Sequence, residues 1–318
     1  MFRLDSFCPE CHAMKRAPLL ASLVSCLLAA LSGCSTPMNP APGGAWHLTE
    51  LGTMRGFRNP ECAVVDPETG VVFVSSTDAA SREAVNELDA KGFLSTLEPG
   101  GRAGVERWVD SNPVQLLNSP KGLCVLGGCV YLNDLTELKR CRIETAGPVE
   151  VVATFSPDVS LNDAVTDGRF VYVSDTPGGR VFRVDPATGK YLALKAPPRI
   201  NGLTFRRGEL IGVTAHRGDS DIWSIDKFGL LPPRRWRLGE HFTGLDGIEA
   251  LDDGTLLISD VWGHRLYLVD PATKAVRALT VPVDHPADFG IDRSRGLVYV
   301  PQFFRDEVKV YQLTRGGE

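Results

Sequence analysis

The chain has 318 residues and a formal net charge of −5, with 43% hydrophobic residues, 32 glycines and 22 prolines. No basic stripe runs along it, which excludes a nucleic-acid surface. The composition is that of a soluble, turn-rich β protein.

Lys15-Arg16 precede an apolar run from Pro18 that ends Leu31-Ser32-Gly33-Cys34. A charged segment before a short apolar one predicts a secretory signal over residues 1–33, because the run is short of the ~20 residues that a spanning helix needs. Met14 opens a conventional signal of its own and is the alternative start. The small residues before Cys34 resemble the bacterial lipobox, which implies that Cys34 is diacylated. Acyl chains anchor at about 0.8 kcal/mol per buried methylene. Residues 34–45 read as a flexible tether, and Ser35 after Cys34 points to the outer membrane, facing the periplasm. Cys8-Pro9-Glu10-Cys11-His12 matches a haem-attachment pattern. Haem is attached after export and this segment lies before the cleavage point, so the match is discounted.

From residue 46 onward a phrase recurs six times. A short step, Pro60-Glu61-Cys62-Ala63, Pro120-Lys121-Gly122-Leu123, Leu161-Asn162-Asp163-Ala164, Ile200-Asn201-Gly202-Leu203, Leu245-Asp246-Gly247-Ile248 or Ala287-Asp288-Phe289-Gly290, precedes a turn and an apolar strand. A period of about 40 residues predicts an all-β, six-bladed β-propeller over 46–318. Blades three and five also share a "hydrophobic-Asp-Pro-x-Thr" turn, at Asp185-Pro186 and Asp270-Pro271. Blade one carries a polar, Ala-rich insert, Thr77 to Lys91, predicted as a loop or short helix over one face. Trp46–Leu51 is expected to complete the blade that contains Glu307–Leu313. Cys62, Cys124, Cys129 and Cys141 either pack as small hydrophobes or pair, Cys129 with Cys141 being one open pairing.

In a radial fold, equivalent positions form a ring around the channel. Glu61, Asn162, Asn201 and Asp246 would converge there, with Asp288 as a fifth carboxylate. These hard oxygen donors suit calcium first, then magnesium or manganese, and tolerate zinc. Lys121 would neutralise a carboxylate or contact an anionic substrate. The bland alternative is a polar channel lining satisfied by water.

At these residues the chain resembles the senescence-marker-protein/gluconolactonase/luciferin-regenerating-enzyme family of six-bladed propellers, across residues 55–313. The resemblance implies that Glu61, Asn201 and Asp246 are metal ligands, that Asn162 contacts substrate or water on the metal, and that Asp246 is the general base. Two departures stand out. Ser160 sits where the sugar lactonases carry an Arg, and Cys62-Ala63-Val64-Val65 replaces the usual Pro-x-Trp. The expected function is a lipid-anchored, metal-dependent hydrolase of a lactone or other ester, with Asp246 and Asn162 catalytic and Asn162, Lys121 and Asp288 against the substrate. The alternative is a non-catalytic propeller lipoprotein binding a small ligand or a protein. Either would be monomeric, in contact with the membrane through its anchor only.

Overall fold

A computed structural model describes residues 45–81 and 83–316. The predicted signal, Cys34 and nearly all of the tether, and the Cys8–His12 pattern, lie outside the described residues. Among the described residues no helix is long and apolar enough to cross a membrane.

The described residues are all-β, in six sheets. Blade one runs Pro60–Val65, Val72–Ser76, Phe93–Glu98 and the outer pieces Arg102–Ala103 and Val109–Asp110. Blade two runs Pro120–Leu126, Cys129–Asp134, Glu137–Arg142 and Glu150–Thr154. Blade three starts at Leu161–Thr166, blade four at Ile200–Arg206, blade five at Leu245–Ala250 and blade six at Gly290–Asp292. The inner strands of blades one to five adjoin one another in sequence, and that of blade six adjoins blade one, so the ring closes.

Local chemistry dictates the hairpins. Leu126 faces Cys129 across Gly127-Gly128, whose φ values of 57° and 71° are those of a two-residue primed turn. The second strands Val72–Ser76, Val171–Asp175 and Leu256–Asp260 are buried at every position. Each is covered on both faces by neighbouring blades, which is why they read as continuous apolar runs rather than alternating ones. The core lies between blades. Ile248, Ile258 and Tyr267 of blade five pack on Ile211 and Val213 of blade four, while Leu257, Leu266 and Leu268 pack on Phe289, Val298 and Tyr311 of blade six. Each such side chain contributes about 1.5–3 kcal/mol by leaving water.

Trp46–Arg55 pairs antiparallel with Glu307–Arg315, with Leu48 opposite Leu313, so both ends of the described chain complete blade six as expected. The insert of blade one contains a short 3-10 helix, Glu83–Asn86. The four cysteines are free and buried. Cys129 lies opposite Arg142 and Cys141 opposite Val130, so the two thiols sit on different faces of blade two. Cys124 and Cys129 join the core toward blade three, and Cys62 and Cys141 join the core toward blade one.

Candidate metal centre

Five inner strands open with the same irregularity. Pro60 pairs with Ser76 but Cys62 with Ser75; Pro120 pairs with Asp134 but Leu123 with Leu132; Leu245 pairs with Asp260 but Ile248 with Ile258. The inner strands of blades three and four shift register in the same way. A bulge frees a residue from the ladder and re-aims its side chain. The freed slot holds Glu61, Lys121, Asn162, Asn201 and Asp246 in blades one to five.

Blade six departs from the expectation. Pro286 bridges Gln302 and Gly290 pairs with Tyr299, so Pro286 takes the place of Leu245 and Phe289 that of Ile248. The ring slot therefore falls to Ala287. Asp288 lies one residue later, in a deeper layer with Cys62 and Asp163. The motif Ala-Asp-Phe-Gly was matched to Leu-Asp-Gly-Ile by its aspartate; the apolar residues that enter the core, Pro286 and Phe289, set the true register.

The deeper layer decides how closely the blades approach. A Cβ on Gly122 would lie 2.4 Å from Asp163 Cα, and one on Gly247 2.8 Å from Asp288 Cα. Cys62 bridges Asp288 in parallel, and its thiol donates to Asp288 Oδ2 at 3.0 Å. Asp163 accepts from the Leu203 N–H at 2.5 Å and shares a hydrogen bond with Asp288. Burial pushes the Asp163 carboxyl up to about 7, against the hydrogen bonds it makes, and lifts Asp288 well above the carboxylate range, with repulsion from Asp163 adding to it.

A second device aims the ring. The second strand often ends in a residue that grips the chain just ahead of the ring slot. Asp134 accepts from the Ser119 N–H at 2.7 Å, Asp175 from the Ser160 N–H at 3.1 Å, Asp260 from the Thr243 N–H at 2.8 Å, and Gln302 from the Asp284 N–H at 2.5 Å.

Asn201, Asp246 and Lys121 are 7%, 8% and 5% exposed, and Glu61 and Asn162 are half-buried. Burial raises Asp246 well above the usual carboxylate range, and repulsion from Glu61 and Asp163 adds to it. Burial also raises Glu61, against the pull of Lys121. Lys121 itself is lowered by burial, although Glu61, Asp246 and Asp134 favour its charge. Its Nζ donates to Asn86 Oδ1 at 2.8 Å, so the insert of blade one reaches the ring.

The Asn201 side chain hydrogen-bonds Asp246, yet Asn201 Oδ1 is buried without a partner among the described residues. An orphaned buried carbonyl costs about 1–3 kcal/mol. Beside two carboxylates driven toward protonation, it fits a divalent cation held by Glu61, Asn201 and Asp246. Carboxylates alone do not complete the site. Among the described residues, the group of three His, Cys, Asp or Glu ligand atoms within 4.8 Å of one another is His264, Asp284 and His285. That trio stands at the same rim, and sequence reading did not assemble it because His264 lies 21 residues from His285, on a loop of another blade. Burial lowers the His285 imidazole, against the pull of Asp284. Cys62, Asp163 and Glu249 were also missed as channel groups; burial pushes Glu249 up to about 7. The Asp of the Asn162-Asp163 pair was the available signal for the deeper layer.

No family model matches the chain, and no curated protein matches it. Solved structures do. A structure described as a gluconolactonase candidate superposes with a TM-score of 0.60 at 18% identity, covering 87% of this chain and 94% of its own. A luciferin-regenerating enzyme gives 0.58 at 13%, covering 86% and 96%. A streptogramin B lyase also gives 0.58 at 13%, covering 85% and 98%. At these identities the likeness is one of fold.

Proposed function

We propose that the protein is a divalent-metal-dependent hydrolase of a lactone or other ester, tethered to the outer membrane through Cys34. The observation that carries the reading is the unpartnered Asn201 Oδ1 between buried acids of neighbouring blades. Two of the similar folds, the gluconolactonase candidate and the luciferin-regenerating enzyme, support it by analogy of architecture. Glu61, Asn201 and Asp246 hold the cation, calcium before magnesium, manganese or zinc on donor hardness. When bound, such an ion supplies Lewis acidity toward a carbonyl oxygen. Asp246 takes the proton of the attacking water. Asn162, in the slot between Lys121 and Asn201, orients that water. Lys121, beside Glu61 and Asp246, neutralises a carboxylate or contacts an anionic substrate. Asp288 serves from below the ring, through Asp163 and Cys62, rather than at the substrate.

Assay of the calcium-loaded protein against aliphatic, aromatic and sugar lactones and esters tests the reading. It predicts turnover that Asp246→Ala abolishes. Turnover of nothing in the panel, or an equally active Asp246→Ala, removes it.

A second reading rests on Lys121. A cation already built into the ring balances part of its charge, and the propeller then binds a ligand without chemistry. Ser160, which spends its N–H on Asp175, supplies no guanidinium for a sugar.

A further inference from the structure

We propose that His264, Asp284 and His285 form a second cation site, separate from the oxygen ring and suited to a borderline-soft ion such as Zn²⁺. His264 lies on the turn after Leu256–Asp260 of blade five, and Asp284 and His285 on the connection into blade six. Both segments meet the end of the blades at which the ring residues enter, because Leu245 pairs with Asp260 and Pro286 bridges Gln302 there.

His264 Nδ1 is 2.8 Å and His285 Nδ1 2.7 Å from one atom, Asp284 Oδ1. Two imidazoles and a carboxylate are a common three-ligand zinc set. Imidazole nitrogen is a poor donor for calcium, so the rim and the ring select different ions. Zinc bonds of about 2.0–2.2 Å place tetrahedral donors roughly 3.4 Å apart, so each imidazole nitrogen would move about 0.6–0.7 Å away from Asp284 Oδ1.

The supporting shell is already built. The second oxygen of Asp284 accepts from Arg305 Nε. The Asp284 N–H donates to Gln302 Oε1 at 2.5 Å, and Gln302, wholly buried, donates in turn to the Val300 carbonyl at 3.1 Å. Such outer partners orient a ligating carboxylate. The His285 ring packs edge-on to His264, Trp262 and Phe304, at centroid distances of 4.1, 5.4 and 4.8 Å, which fixes its rotamer. The His285 N–H points at His264 Nδ1 at 3.3 Å, which asks that nitrogen for a lone pair. A ring nitrogen has one lone pair, so zinc would take it over from this 3.3 Å contact as it binds between His264 and Asp284.

Zinc titration of the metal-stripped full chain by calorimetry tests the site, and it reads uptake of the ion alone, whatever the ring hydrolyses. With calcium in excess to occupy the ring, one equivalent of zinc is expected to bind in the wild type, and one in Asp246→Asn. His285→Asn and His264→Asn should each weaken it at least tenfold; asparagine keeps the left-handed conformation, φ 50° and 51°, that both residues adopt. No zinc uptake, uptake unchanged in both histidine variants, or uptake lost in Asp246→Asn while both histidine variants keep it, overturns the proposal.

Discussion

Gly202 lies so close to Asp246 that a Cβ on it would stand 2.0 Å from the Asp246 carbonyl oxygen. The residue after one ring donor is thereby pressed against the backbone of the next. Backbone cannot yield as a flexible side chain can. Gly202→Ala should therefore part blades four and five, costing about 1–3 kcal/mol or more, typical of overpacking. Thermal melting checks it, and calcium binding should weaken in the same variant because Asn201 and Asp246 separate.

Lys121 and the cation compete for one set of carboxylates. Replacing Lys121 by Met removes a buried positive charge beside Glu61 and Asp246. Like charges several ångströms apart in a protein interior repel by kilocalories, so calcium should bind about tenfold tighter or more. Calorimetry on Lys121→Met measures this. Weaker binding would mean that Lys121 organises the ring rather than opposing the ion.

The six-fold phrase was legible because its period is carried by the strands themselves, and the closure by Trp46–Leu51, which the structure extends to Arg55, followed from an otherwise unpaired edge. Glu61, Lys121, Asn162, Asn201 and Asp246 share one slot because each stands second in its inner strand, directly after Pro60, Pro120, Leu161, Ile200 or Leu245. Asp288 was misplaced by one residue, since Ala287, the true slot occupant, carries no polar signal and the proline before it passes for a turn. The trio His264, Asp284 and His285 was not legible. It is assembled by two loops of different blades, and no spacing along the chain records their meeting.

Asp163 gives the metal-free protein a pH dependence. Its carboxyl is pushed up to about 7 in the folded chain and returns to an ordinary value on unfolding. The folded state therefore holds the extra proton, and the stability that this proton confers is present in full below about pH 4 and is lost as pH rises toward 7. The difference is on the order of 4 kcal/mol at about 1.4 kcal/mol per tenfold change in proton affinity. Denaturant unfolding of the metal-free protein at pH 5 and pH 8 should show the loss, and Asp163→Asn should reduce it, the raised carboxyls of Asp246, Asp288 and Glu249 carrying the remainder.

Reductant should leave the melting temperature unchanged. All four described cysteines are free, and Cys129 and Cys141 serve opposite faces of blade two. A large fall in melting temperature with reductant would contradict that packing.

Calcium uptake by equilibrium dialysis tests the ring most directly. The wild type is expected to retain one equivalent, and Glu61→Gln and Asp246→Asn to lose it, each variant still melting cooperatively. A wild type that retains none, or variants that retain it undiminished, would contradict a cation held by Glu61, Asn201 and Asp246.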